Sequence, residues 1–79
     1  MNSPSSESGS APAATVVANG RAVTIALPCT LELFLTAQSL LPRSVVVELN
    51  GEAIAPSEFA QRALCDGDRM EIVRIVAGG

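Results

Sequence analysis

Two Asn-Gly dipeptides, at positions 19–20 and 50–51, constrain the fold of this 79-residue chain more than any other feature. Each dipeptide separates two short runs that are rich in apolar residues. A type I′ turn needs a positive φ angle at both of its central residues, and Asn followed by Gly adopts that conformation readily. The sequence therefore predicts two antiparallel β-hairpins.

The first predicted hairpin joins a strand over 15–18 to a strand over 21–27. With Asn-Gly in the turn, the register places Val16 opposite Val23. Side chains alternate between the two faces of a strand, so one face of this hairpin is apolar and suited to burial. The residues that share this face are Val16, Val23, Ile25 and Leu27.

A helix is predicted over about 30–40, between two prolines. Pro28 ends the preceding strand, and Pro42 stops the helix. Thr30 suits the N-cap position, and Glu32 lies in the first turn, where the helix dipole favours an anion. The residues at helical spacing that should face the sheet are Leu31, Phe34, Leu35 and Gln38.

The second predicted hairpin joins strands over 45–49 and 52–54. A short second helix follows Pro56, capped by Ser57 and ending near residue 63. A turn at 66–68 then leads into a last strand over 69–76, in which Met70 and Ile72 should face the core. Along the strand over 45–49, the alternation directs Val45, Val47 and Leu49 to one face and Val46 and Glu48 to the other.

This order of elements predicts an α+β domain with a mixed sheet of four to five strands, one main helix and a short second helix. The last strand should run beside the first, which is the β-grasp, ubiquitin-like layout. Residues 1–14 are almost all Ser, Pro, Ala and Gly, and such a segment is expected to be a disordered N-terminal tail. The β-grasp domain is predicted over 15–76, followed by a flexible C-terminal tail over 77–79.

The composition excludes several classes of function. The net charge is -3, and the chain has no Lys, Trp or Tyr, so we expect neither nucleic acid nor a membrane as a partner. There is no His, and the two cysteines form no CxxC motif, so we expect no metal site. About 65 foldable residues bury only a thin core, which argues against an enzyme with catalytic residues of its own.

The two cysteines, Cys29 and Cys65, are interpreted as small buried side chains. Cys65 is expected to lie inside the fold, just before the turn at 66–68. No signal peptide precedes them, so the expected location is the cytoplasm, where thiols stay reduced. We expect the chain on its own to be a monomer.

Four motifs occur in a fixed order between residue 15 and the end of the chain. They are Val-Glu-Leu-Asn-Gly-Glu at 47–52, Pro-Ser-Glu at 56–58, Asp-Gly-Asp-Arg-Met-Glu-Ile-Val at 66–73 and Val-Ala-Gly-Gly at 76–79. This ordered set resembles the ThiS family, the small sulfur carriers of thiamine biosynthesis. One departure is Ser39, which stands where the family usually has a glycine that closes the main helix. A left-handed serine would be strained at that position.

The resemblance implies a protein co-substrate rather than an enzyme. An E1-like, ThiF-type enzyme would use ATP and magnesium to adenylate the carboxylate of Gly79. A sulfur donor such as a cysteine desulfurase would then convert the adenylate to a thiocarboxylate, and a ThiG-type thiazole synthase would receive the sulfur. The carrier itself would bind no cofactor. Gly78 and Ala77 would thread the terminus into the partner's active site, because small residues fit a narrow slot.

The residues predicted to dock partners are Val73, Arg74, Ile75 and Val76, which lie next to the tail. Val73 and Ile75 should point away from the core, and exposed β-branched side chains beside a reactive tail suggest a contact surface. The alternative is that they only satisfy the preference of strands for β-branched residues. For Arg74, the alternative to orienting the tail is a solvated surface residue.

Three other functions stay open at this point. The MoaD-type carriers of molybdopterin biosynthesis share the layout and the Gly-Gly end, although the motifs at 48–52 and 66–69 favour the thiamine branch. A ubiquitin-like modifier would join Gly79 to lysines of other proteins. A β-grasp binding module would leave the Gly-Gly end inert.

Overall fold

One mixed sheet carries an α-helix on one of its faces in the computed structural model, which describes residues 12–75. The elements are β1 (Ala13–Ala18), β2 (Arg21–Ala26), α1 (Leu31–Ala37), β3 (Val45–Leu49), β4 (Glu52–Ile54) and β5 (Arg69–Arg74), with short 3-10 helices at Pro42–Ser44 and Pro56–Glu58. The strand order is β2-β1-β5-β3-β4, and β5 runs parallel to β1 and antiparallel to β3. The α+β fold and the pairing of the last strand with the first are confirmed.

Both Asn-Gly dipeptides form the predicted hairpin turns. The φ angles of the two central residues are 50° and 81° in the first turn, and 51° and 85° in the second. These are the positive values that a type I′ turn requires. The first hairpin has the predicted register, with Val16 opposite Val23.

The strand ends differ from the predictions by a few residues. β1 begins at Ala13 rather than at residue 15, because Ala14 pairs with Ile25 and is buried. β1 therefore includes Ala13 and Ala14, which belong to the segment that we expected to be a disordered tail. β2 ends at Ala26, one residue before the predicted end, and β5 ends at Arg74.

The N-terminus of α1 is bonded to a distant loop. Its first two N–H groups donate to the carbonyl oxygens of Arg62 and Phe59, at 2.8 and 3.1 Å, and its third donates to the Oγ1 of the predicted cap Thr30 at 3.1 Å. These bonds account for the failure of the predicted helix over 57–63, where only the 3-10 turn at Pro56–Glu58 forms. In a helix over 57–63 the carbonyl oxygen of Phe59 would accept from the N–H of Ala63, but here it accepts from α1, and Ala63 bridges Thr30 instead.

The predicted cap of that second helix is also wrong. The N-cap of the 3-10 turn is Ala55, and Ser57 makes no capping hydrogen bond. Farther along, the chain is extended, because Ala63 forms an isolated antiparallel bridge with Thr30. The N–H of Leu64 donates to the carbonyl oxygen of Cys29 at 2.8 Å.

The C-terminus of α1 is closed by a serine in the left-handed conformation. Ser39 has a φ angle of 62°, and this ends the helix earlier than predicted. Its N–H donates to the carbonyl oxygen of Thr36 at 2.9 Å, and the N–H of Leu40 donates to that of Leu35 at 2.8 Å. This pair of bonds defines a Schellman motif. Gln38, which we expected to face the sheet, is the exposed C-cap residue.

The face of the sheet toward α1, here called the inner face, holds the core. The opposite face, here called the outer face, is left uncovered by α1. No helix in the described part of the chain is long and apolar enough to cross a membrane. The buried apolar residues that form the core are Val16, Leu31, Phe34, Leu35, Val45, Val47, Leu49, Ile54, Phe59, Leu64 and Met70.

Candidate partner-docking surface

β5 is the central strand of the sheet and leads toward the C-terminal residues. Met70 is buried and Ile72 packs against the core, as predicted from the alternation of side chains. The alternate residues on the strand, Glu71 and Val73, point to the outer face and are exposed. The strand therefore contributes side chains both to the core and to the exposed outer face.

Three apolar side chains form a patch on the outer face. Val73 and Ile75 are 61% and 52% exposed, and Val46 on β3 is 53% exposed. Val46 lies directly opposite Val73 in the ladder between β3 and β5. We call Val46, Val73 and Ile75 the outer apolar patch. Two of its members were predicted, whereas Val46 was predicted only to face away from the core.

Arg74 lies on the other side of β5 from this patch. It is paired with Val45, whose side chain is buried, so the two residues belong to the inner face. Arg74 is exposed there and, together with Arg21, lines a groove of about 620 Å³ beside the C-terminal end of α1. Arg74 and Val73 thus belong to opposite faces of β5, but Val73 borders the same groove, and Arg74 and Ile75 together border a second depression.

The backbone of β5 stays fixed up to the last described residue. The N–H of Ile75 donates to the carbonyl oxygen of Ser44 at 2.8 Å, one residue beyond the end of the strand. The remaining site residues that we predicted, Val76, Ala77, Gly78 and Gly79, lie outside the described residues. Their segment therefore begins from an anchored point at the edge of the outer apolar patch.

Asn19 holds β5 close to this point, a contact that the sequence analysis missed. Its Oδ1 accepts from the N–H of Ile72 at 2.7 Å, and its Nδ2 donates to the carbonyl oxygen of Ile72 at 3.1 Å. The Asn19 side chain thus makes the two backbone hydrogen bonds with β5 that a neighbouring strand would otherwise make, at the point where β1 ends. The dipeptide signal predicted the turn but gave no sign of this second role.

Asn50 holds the opposite end of β5 in a similar way. Its Oδ1 accepts from the N–H of Arg69 at 2.9 Å, and its Nδ2 donates to Oδ1 of Asp68 at 3.0 Å. Asp68 also accepts from the N–H of Cys65 at 2.8 Å, and Asp66 accepts from the N–H of Thr15 at 2.7 Å. The two carboxylates of the predicted turn therefore stabilise the start of β5 and its junction with β1.

Two carboxylates lie beside the outer apolar patch. Glu48 on β3 is directly opposite Glu71 on β5, one rung of the outer face away from the pair of Val46 and Val73. Both glutamates are exposed, and both line a shallow surface depression that Arg69 also lines. The outer face thus combines apolar side chains with negative charge.

The two thiols differ from the prediction that both are buried. Cys65 is exposed, and its N–H donates to Oδ2 of Asp68 at 2.8 Å. Cys29 is partly buried, and burial raises the pKa of its thiol above the ordinary value. Within residues 12–75, no three His, Cys, Asp or Glu side chains come together as a group that could hold a metal ion.

The chain is similar to a known protein family and to two solved structures. A model of the ThiS family matches residues 11–79. The crystal structure of a thiamine biosynthesis protein (ThiS) from Geobacter metallireducens superposes with a TM-score of 0.70 at 29% identity, covering 82% of this chain and 99% of that one. The solution structure of a thiamine biosynthesis protein from the same organism gives a TM-score of 0.68 at 29% identity, covering 82% and 87%.

A longer protein also contains a similar region. A thiazole synthase from Paramagnetospirillum magneticum is 38% identical over 64 residues, which are 81% of this chain and 20% of that protein. This chain therefore spans about a fifth of the length of that relative.

Proposed function

The chain belongs to the ThiS family, and from this membership we propose that it is a sulfur carrier protein of thiamine biosynthesis. The observation that carries the proposal is the family match over residues 11–79, which includes Gly78 and Gly79. The match to the ThiS family and the similar region within a thiazole synthase support the thiamine branch over the molybdopterin branch.

The reactive group in this proposal is the α-carboxylate of Gly79. A carboxylate is ionised at neutral pH and is a poor acyl donor until it is activated. A ThiF-type enzyme, using ATP and magnesium, joins the carboxylate to AMP with release of pyrophosphate. The persulfide of the sulfur donor then displaces AMP to form an acyl disulfide, and a thiol reductant cleaves the S–S bond to release the thiocarboxylate, leaving the donor as its thiol and the reductant as a disulfide. The chain is a co-substrate in these steps, and its own side chains supply neither an acid nor a base.

The folded domain contributes position in this mechanism. Ile75 is anchored to Ser44, and four more residues reach at most about 14 Å when fully extended. The activating enzyme must therefore hold the outer apolar patch close to its own ATP site. Gly78 and Ala77 carry little or no side chain, so they can pass through a narrow entrance.

Thiazole synthase is the proposed acceptor of the sulfur. The relative from Paramagnetospirillum magneticum bears that name and contains a region similar to this chain within one polypeptide. Joining two proteins in one chain raises their effective concentration, which benefits partners that exchange a group. This supports a ThiG-type partner for the present chain.

Intact-mass measurement tests the proposal. The protein is incubated with ATP, magnesium, the ThiF-type enzyme of its source organism, a cysteine desulfurase with cysteine, and dithiothreitol as the reductant. We expect a mass increase equal to the replacement of one oxygen by sulfur, located at Gly79 by fragmentation. Adducts on the lysines of other proteins would instead indicate a ubiquitin-like modifier, and an unchanged mass would contradict the proposal.

Two variants check the assignment to Gly79. Removal of Gly78 and Gly79 should abolish the mass change. Addition of one Ala after Gly79 keeps both glycines but moves the carboxylate, so it should also prevent the change. Both variants should unfold at the same urea concentration as the parent chain. A truncated protein that still gained sulfur would show that another group is the acceptor.

A further inference from the structure

β2 is one edge of the sheet, and part of its backbone has no partner among residues 12–75. Its neighbour on one side is β1, and no described strand lies on the other side. On β1, the carbonyl oxygen of Thr15 and the N–H of Val17 bond to the segment at 67–68, which leads into β5. Their cross-strand partners, Thr24 and Ala22, therefore form non-hydrogen-bonded pairs with β1, and their own N–H and C=O groups point outward.

Ala26 repeats this arrangement two residues farther along β2, because the direction of the backbone groups alternates along a strand. We call Ala22, Thr24 and Ala26 the open edge. Unpaired N–H and C=O groups in such a row pair readily with another extended chain. The chemistry that the open edge accepts is therefore that of a β-strand.

The other edge strand, β4, is protected in ways that β2 is not. β4 has three residues, and Glu52 within it forms a salt bridge with Arg62 at 2.6 Å. Short length and charged side chains both discourage pairing between edges. β2 has six residues and no proline, and its one charged residue is Arg21 at the first position. Of these two edges, β2 is the one suited to accept a strand.

A second copy of β2 is complementary to the open edge in one antiparallel register. With a two-fold axis at Thr24, that residue pairs with its own copy, and Ala22 pairs with Ala26. Every residue of the open edge then exchanges hydrogen bonds with an open-edge residue of the other copy. A shift by two residues leaves part of the open edge without such a partner. A shift by one places it opposite residues that are already bonded to β1.

The side chains also match in this register. On the outer face the paired residues are small and uncharged, so two copies that each carry a net charge of -3 oppose no like charges there. On the inner face, Val23 of one copy lies opposite Ile25 of the other. Both side chains are partly buried and pack against the core. Pairing therefore extends the apolar core across the contact.

We infer that two copies of this chain associate by antiparallel pairing of their β2 strands, which joins the two sheets into one. β2 is six residues long, so the contact extends about 20 Å along the strand. Contact along a single strand is smaller than the interface of about 1,200–2,000 Å² that stable complexes bury. The dimer therefore forms at high protein concentration, and the chain is a monomer in dilute solution.

This dimer is compatible with the proposed carrier function and does not depend on it. β1 and β2 separate β5 from the contact, so the outer apolar patch stays uncovered in both copies. A chain that gains sulfur at Gly79 without forming the dimer would leave the carrier function standing. A chain that forms the dimer without gaining sulfur would leave the dimer standing.

Sedimentation velocity over a range of concentrations tests the inference on the parent chain and on Thr24→Lys. Residue 24 is exposed, so the substitution leaves the core intact. In the dimer the two introduced charges lie opposite each other at the axis and repel. We expect the average mass of the parent chain to rise from 8.1 kDa toward twice that value. Thr24→Lys should need an about fivefold higher concentration for the same rise.

Thr15→Lys is the matched control, because Thr15 is exposed directly opposite Thr24 in the ladder but lies on β1, away from the contact. It should dimerise like the parent chain, and urea unfolding checks that both lysine variants are folded. A mixture of Thr24→Lys and Thr24→Glu should recover the dimer, since opposite charges then meet at the axis. This recovery is specific to the register with the axis at Thr24.

A parent chain that stays at 8.1 kDa at every concentration would overturn the inference. Equal weakening by Thr24→Lys and Thr15→Lys would overturn it too, as would a mixture of the lysine and glutamate variants that stays monomeric. Amide hydrogen exchange of the open edge gives a second measurement, and slower exchange at high concentration supports the dimer. Protection that is independent of concentration would show that another segment of the same chain covers the edge, and the inference would then be wrong.

Discussion

The inner and outer faces of the sheet contain the same kind of residue in opposite surroundings. On β3, Val47 is fully buried against the core, whereas its neighbour Val46 is 53% exposed. On β5, Met70 is buried and Val73 is exposed. Apolar residues therefore occur on both faces. Whether such a residue is buried depends on the face of the sheet on which it lies. We interpret the inner face as the source of stability and the outer face as the surface for partners.

The sharpest test of this difference compares Val47→Ala with Val46→Ala. The two substitutions remove the same atoms from adjacent residues of one strand. Val47→Ala should lower the free energy of unfolding by about 2 kcal/mol, from lost burial and a residual cavity. Val46→Ala should lower it by less than about 1 kcal/mol, since only strand preference and partial burial are lost. Urea unfolding followed by far-UV circular dichroism measures both.

Binding should show the reverse order. Val46→Ala should weaken the complex with the activating enzyme, whereas the folded fraction of Val47→Ala should bind like the parent chain. Equal effects of the two variants on stability would contradict the division between the faces. So would equal effects on binding.

The sequence was sufficient for features that depend on neighbouring residues. The Asn-Gly turns, the alternation along β3 and the cap at Thr30 are local, and all three were predicted. The helix over 57–63 failed because its carbonyl groups bond to α1, which is distant in sequence. No local pattern contains that information.

The candidate site shows the same limit. Exposure of Val73 and Ile75 followed from the alternation on a single strand. The pairing of Glu48 with Glu71 depends on the register between β3 and β5, and these strands are separated by β4 and a long loop. The contact of Asn19 with Ile72 spans 53 positions. Such features require the fold itself.

The second test concerns how β5 is held between the two faces. Asn19→Gly and Asn50→Gly both keep a residue that tolerates positive φ, so the turns are retained while the side-chain hydrogen bonds are lost. Each variant should lose about 1–2 kcal/mol of stability. Asn19→Gly should also weaken enzyme binding, because it frees Ile72 beside the outer apolar patch.

Asn50→Gly is the variant for comparison, since it frees the start of β5 beside the depression lined by Glu48 and Glu71 and not beside Ile72. It should weaken binding less than Asn19→Gly does. If both variants weaken binding equally, the effect arises from general loosening of the strand. The role of Asn19 in presenting the outer face would then be refuted.

The smallest expected effect concerns Ser39, which closes α1 over the inner face. A non-glycine residue in the left-handed conformation carries a cost of about 1–2 kcal/mol, which Gly does not. Part of the gain from Ser39→Gly is offset by the greater freedom of Gly in the unfolded chain. We therefore expect the variant to be more stable by about 1 kcal/mol in urea unfolding.

Ser39→Ala is the matched control, because alanine keeps a Cβ and hence the strain of the positive φ angle. It should gain no stability, so that a gain in Ser39→Gly alone is attributable to the backbone rather than to the lost hydroxyl. Ser39 lines the same depression as Ile75, a member of the outer apolar patch, so this test is confined to stability. An equal gain in stability in both variants would contradict the assignment of the strain to the positive φ angle of Ser39.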